Sequence, residues 1–182
     1  MRLFSLDDKA TKVHWAQDAS WRFMPVVAHN ALGYVLHPID LATNKVLALA
    51  GRDEARDFLD LMLACEALLP LGALLWAAVG KDPGFSPRSL LEMIRRRGKY
   101  QPDDFEKLHL SEPIDLQSLK TKWIEALDQA EAFIDHRPSQ EMGCLYFDVQ
   151  LQAFVAPQSG PLPTTTVLHF GRPGGLLPAV QP

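Results

Sequence analysis

The spacing of apolar residues changes twice along the chain. In residues 2–37 it is strand-like. Val13 and Trp15 alternate with polar neighbours, residues 22–27 form a short apolar run ended by Ala28-His29-Asn30, and Leu32, Tyr34 and Leu36 fall on one face of a period-two segment. This is too little strand for an independent sheet, so it has to pack on the helical part of the chain or pair with another chain. From Asp40 to about Arg137 the spacing is helical. Asp40 is expected to cap a helix over Leu41 to Ala50, with Gly51 just past its end, and Asp53 to cap the next, which runs to about Leu69. A third helix starts after Pro70 and ends near Gly80, and Lys81-Asp82-Pro83-Gly84 reads as a turn. Ser86-Pro87 pairs an N-cap with a proline at the first helical position, opening a helix that reaches Arg95-Arg96-Arg97 and stops at Gly98. Residues 102–110 form a short helix or turn. Asp115 caps a long amphipathic helix to about His136, with Leu119, Trp123, Leu127, Ala130 and Ile134 on its apolar face. After Pro138 the pattern is again strand-like over 144–149 and 165–170. The prolines and glycines between and after these runs predict a hairpin-like appendage and a loosely held tail.

The expected fold class is therefore α+β, one compact unit in three segments: a strand-rich 1–39, a helical bundle over 40–137, and a β appendage with its tail over 138–182. The length of 182 residues supports one well-buried core. The net charge of -4 argues against a protein built to coat nucleic acid, while leaving room for a local basic patch. Cys65 and Cys144 lack metal-ligand or redox spacing and read as reduced core residues, which favours a reducing cytoplasm. Asp7, Asp8 and Lys9 stand where a signal peptide would be apolar. Leu61 to Val79 is apolar enough to raise the membrane question, but Glu66, Pro70 and Gly72 interrupt it, so two buried helices joined near Pro70 are expected.

Two charge clusters stand out against this frame. Asp57 and Asp60, three residues apart, share one helical face, and Lys45 and Arg52 lie in the preceding helix and turn. A tight hairpin of these helices brings cations and carboxylates together, either as a structural ion-pair network or as a nucleotide site in which a carboxylate orients the lysine or a metal. Arg56 and Asp60 are spaced as an ordinary surface pair. Arg95, Arg96 and Arg97, with Lys99, sit where a helix ends and complement its dipole there; the other reading is a grip on RNA. His14, His37, His109, His136 and His169 are each isolated, which argues against a zinc site. No Walker loop, Gly-x-Ser-x-Gly or Rossmann glycine pattern occurs.

Several blocks resemble one known family. Trp21-Arg22-Phe23, Gly33-Tyr34-x-Leu36-His37-Pro38-x-Asp40-Leu41-Ala42-Thr43-Asn44-Lys45, Ala48-Leu49-Ala50-Gly51-Arg52, Arg56-Asp57-x-x-Asp60-Leu61 and Lys81-Asp82-Pro83-Gly84-Phe85 together resemble bacterial nucleotidyltransferase-like proteins of the AbiEii toxin type. The resemblance spans Val13 to the end. It implies a polymerase-β-like fold with a small mixed sheet and a helical bundle, transfer of a nucleotide from an NTP with Mg²⁺ to an RNA or protein acceptor, and a cognate antitoxin as partner. It also implies that Lys45 lies near a triphosphate and that Asp57 and Asp60 belong to a helical Arg-Asp-x-x-Asp element. The family's Gly-Ser loop with Asp-x-Asp is missing from this sequence, and Val13-His14-Trp15 stands where Val-Asp-Trp is expected. A neutral histidine does not replace a carboxylate for Mg²⁺. The expectation is a truncated, degenerate relative, a pseudoenzyme without a metal site, that acts as a binding or interaction module. A homo-oligomer formed through an exposed sheet edge fits that expectation. The alternative is an active Mg²⁺-dependent nucleotidyltransferase that takes its missing acids from another chain or a longer gene product.

Overall fold

The third helix organises the molecule. In the computed structural model, which describes residues 2–6, 9–13, 19–106, 108, 110 and 114–178, α3 (Leu71–Lys81) buries every residue from Leu71 to Val79. A helix apolar on all sides must be surrounded, and α3 packs against α1 (Pro38–Arg52), α4 (Pro87–Arg95), α6 (Leu116–His136) and the strand β6 (Cys144–Asp148). Helix α2 (Ala55–Ala67) lies on α1 and is bent by 114° from α3 at the break before Pro70. The apolar stretch is thus two helices, as expected. Among the described residues no single helix is long and apolar enough to cross a membrane. The short α5 (Pro102–Glu106) packs beside α2.

The helix boundaries arise from local chemistry, with three corrections. Helix α1 begins at Pro38, capped by His37, whose Nδ1 accepts from the Ile39 amide at 3.2 Å. Asp40, expected as the cap, sits at the third helical position, 1% exposed. Its carboxylate accepts the backbone amides of Phe23 (2.7 Å) and Met24 (3.0 Å) instead. At the other end Gly51 stays inside the helix and Asp53 closes it in a left-handed conformation, φ 50°. Asp53 was expected to open α2. Tyr100 and Arg97 hold its carboxylate at 2.6 and 3.1 Å, which offsets the backbone strain. The expected caps of the later helices are present: Ser86 and Ser89 form a reciprocal capping box on α4, and Asp115 accepts from the Gln117 and Ser118 amides at the start of α6.

The described strands form four small antiparallel sheets, and the class is α+β. Near the N-terminus β1 (Arg2–Leu6) pairs with β2 (Lys9–Val13), and β4 (Val27–His29) with β5 (Gly33–Val35), each an antiparallel two-stranded ribbon. The β4–β5 ribbon leaves Leu32 and Tyr34 70% and 73% exposed. At the C-terminus β6 is the centre of a three-stranded antiparallel sheet between β7 (Ala153–Val155) and β8 (Thr166–Phe170). Its Leu145 joins the main core and its Cys144 and Tyr146 pack on Trp76 of α3. The approach to α3 is a backbone contact: a Cβ on Gly80 would lie 2.3 Å from the Gly143 carbonyl oxygen. The Gly143 amide donates to the Trp76 carbonyl at 3.1 Å.

Two C-terminal expectations are corrected. The appendage is a sheet integrated with the core, and the tail as far as Leu176 is tied down. The two-residue strands β3 (Trp21–Arg22) and β9 (Arg172–Pro173) pair, the Gly174 amide donates to the Ser20 carbonyl and the Leu176 amide to that of Phe23. His169, buried, has Nε2 2.9 Å from the Phe23 carbonyl oxygen. Strands of two residues carry no periodicity, so the sequence holds no signal for this closure.

Candidate functional site

The α1–α2 hairpin brings Lys45, Arg52, Asp57 and Asp60 together. Asp57 lies in the first turn of α2, where the helix dipole favours a carboxylate. Its side chain has no exposed surface. Lys45 Nζ donates to its Oδ1 at 2.9 Å, and Arg52 forks onto both oxygens, Nε to Oδ2 at 2.6 Å and Nη2 to Oδ1 at 3.0 Å. Lys45 also pairs with Asp60 Oδ2 at 2.5 Å. Asp60 is thus matched to Lys45, and Arg56, its expected i, i+4 partner, pairs with Glu54 at 3.5 Å.

The electrostatics of the group are those of a closed network. Burial pushes the Asp57 carboxyl up, but the hydrogen bonds from Arg52 and Lys45 outweigh it and hold the group below the usual carboxylate range. Burial likewise disfavours the Lys45 ammonium, and the bonds to Asp60 and Asp57 reverse that and raise it. Two cations face two carboxylates, so the cluster carries no net charge toward a ligand.

This geometry tests the fit of a nucleotide with its divalent ion. Mg²⁺ takes oxygen ligands whose lone pairs are free. Both Asp57 oxygens are occupied by cations inside the protein, and one Asp60 oxygen by Lys45. The residues as arranged do not fit a metal, and a triphosphate would have to displace carboxylates to reach Lys45. A cavity of about 390 Å³ opens beside the α1–α2 turn, but Asp53, Glu54 and Asp104 line it with one guanidinium, Arg56. Such a lining repels a polyanion.

The arginine triplet is divided. Arg95 pairs with Glu131 of α6 at 2.7 Å, and Arg97 pairs with Asp53 and donates to the Ala50 carbonyl at 3.3 Å. Arg96 is exposed, with no partner among the described residues. Two of the three guanidinia thus tie α4 and the turn after it to α6 and to the end of α1. The Arg97–Asp53–Tyr100 junction was missed in the sequence, because nothing in the spacing of three residues 47 or fewer positions apart marks them as partners.

The histidines are structural where they are described. His29 Nδ1 accepts from the Ala31 and Leu32 amides in the turn after β4, His37 caps a helix, His136 Nδ1 lies 2.6 Å from the Ala132 carbonyl oxygen, and His169 faces Phe23. His14, Trp15, Asp7, Asp8 and His109 lie outside the described residues. Both cysteines are free thiols, Cys144 buried and Cys65 half-buried, and burial pushes each up to about 12. Comparison with family models, curated proteins and solved structures returns no match, so the site stands on its own geometry.

Proposed function

We propose that this chain is a non-catalytic, nucleotidyltransferase-like protein of the AbiEii toxin type that works as an interaction module. The observation that supports this reading is the closed quartet. Lys45 and Arg52, the cations expected to meet phosphate, are spent on Asp57 and Asp60, and the sum of the charges is zero. A neutral, internally bonded cluster gives no attraction to a nucleotide triphosphate and no free carboxylate for its metal. The β4–β5 ribbon supplies a surface for association, since its exposed Val27, Leu32 and Tyr34 and its short strands offer an edge to a second copy or to a cognate antitoxin.

Calorimetric titration of the full chain with ATP and with GTP, with and without Mg²⁺, tests the reading. The expected result is no saturable binding in the micromolar range under either condition. A micromolar complex that needs Mg²⁺ and is lost in Lys45→Ala would refute it and favour the active nucleotidyltransferase instead.

A further inference from the structure

A second surface lies on the other side of the arginine triplet. The turn after α4 and one face of α6 enclose a groove of about 500 Å³, with Gly98, Lys99, Lys120, Trp123, Ile124 and Leu127 among its walls. Its floor is apolar: Trp123 and Leu127 are 4% and 7% exposed, while Ile124, on the same helix, is 60% exposed. An isoleucine that open beside a buried indole is a ready seat for an aliphatic side chain.

The polar groups around this floor are incomplete. The Trp123 indole N–H has no acceptor among the described residues, and it faces Gly98, where a Cβ would lie 2.7 Å from Nε1. Gly98, at φ 69°, lets the backbone pack closely against the edge of this ring, which is 4% exposed. On the rim Lys99 and Lys120 are exposed and have no acidic partner among the described residues. Arg95 and Arg97 also line the groove but are neutralised by Glu131 and Asp53, and Asp128 is the one carboxylate in the lining. The groove therefore pairs an apolar seat with two exposed lysines against one carboxylate.

That combination selects among anionic partners. Single-stranded nucleic acid binds where aromatic faces are open for stacking. The one aromatic ring in this lining is Trp123, which is buried and packed edge-on to Phe58 with centroids 5.1 Å apart. We propose that the groove docks an acidic amphipathic peptide segment of a partner protein. An aliphatic side chain sits on Ile124, Leu127 and the edge of Trp123, and carboxylates meet Lys99 and Lys120. This uses no residue of the Lys45 quartet or of the β4–β5 ribbon, so it stands or falls separately from the absence of nucleotide binding.

The test is selection of a random 12-residue peptide phage library on the full chain, with counter-selection on the Lys99→Glu/Lys120→Glu variant. Both substitutions are on the exposed surface, and coincident circular-dichroism melts verify the fold. The expected winners combine acidic residues with Leu or Ile. By fluorescence anisotropy, a labelled winner should bind at least tenfold more weakly to the double variant and to Ile124→Asp. It should also shift the ¹⁵N indole resonance that disappears in Trp123→Phe. The proposal is overturned if winners are neutral or basic, if no peptide distinguishes the chain from the double variant, or if binding leaves the Trp123 indole unmoved. It is equally overturned if a fluorescein-labelled U12 RNA shifts that resonance and the peptides do not.

Discussion

Replacing Asp57 with asparagine probes the quartet most directly. The side chain keeps its shape but loses the charge that two cations share. In the native protein the carboxylate has no exposed surface and accepts three hydrogen bonds, two of them an Arg52 fork. Bonds to charged groups contribute about 1.5–3 kcal/mol each, and breaking a fully buried pair costs about 3–5 kcal/mol. Two features pull the figure down. Lys45 keeps Asp60, and Arg52, with its side chain 51% exposed, can return to water. The expected loss is about 2–3 kcal/mol, which for a chain of 182 residues is a drop in Tm of roughly 4–12 °C. Asp60→Asn is the control: its side chain is 39% exposed, and the expected loss is below about 1 kcal/mol.

Urea unfolding monitored by circular dichroism from pH 3 to pH 7 reads both the size and the sign. The folded state lowers the affinity of Asp57 for its proton, so its contribution is complete above the unfolded value near 3.9 and disappears as pH falls through the folded one. Wild type and Asp57→Asn should therefore differ fully at pH 6 and converge on the acid side. A difference under about 0.5 kcal/mol at pH 6, an offset that is constant with pH, or an equal loss in Asp60→Asn refutes the buried-network account.

Two further substitutions test the fold around the site. Asp40→Ala removes the acceptor of the Phe23 and Met24 amides, at an expected cost of about 2–4 kcal/mol, with faster amide exchange in residues 20–24 and 172–176; unchanged exchange there removes Asp40 from the role of anchor. Gly80→Ala adds about 1 kcal/mol of helix propensity but drives a Cβ into the Gly143 carbonyl. A net loss of at least about 2 kcal/mol is expected in the same denaturation assay, and a stabilised variant would contradict the close approach of α3 to the sheet.

The parts legible in the sequence are those whose signal is local. Asp115 and the apolar positions through Ile134 marked α6, and the Ser86-Pro87 start marked α4, because capping and periodicity act within a turn or two. The convergence of Lys45 and Arg52 on Asp57 was legible too, since two helices joined by a short turn must lie side by side. What was hidden depends on distant partners. Asp40 and Asp53 are both good N-caps by type, yet the amides of residues 23 and 24 claim the first, and Tyr100 and Arg97 claim the second. The charge balance of the quartet was equally hidden, because spacing shows that Asp60 shares a face with Asp57 but not that Lys45 reaches both.

The pairing of β3 with β9 imposes an order on biosynthesis. Trp21 and Arg22 leave the ribosome about 150 residues ahead of their strand partner. At translation rates of about 5–20 residues per second that is a wait of roughly 8–30 s. During that interval Asp40, made 17 and 16 residues after Phe23 and Met24, can clasp their amides as soon as α1 forms, so this segment has a partner before its strand partner emerges.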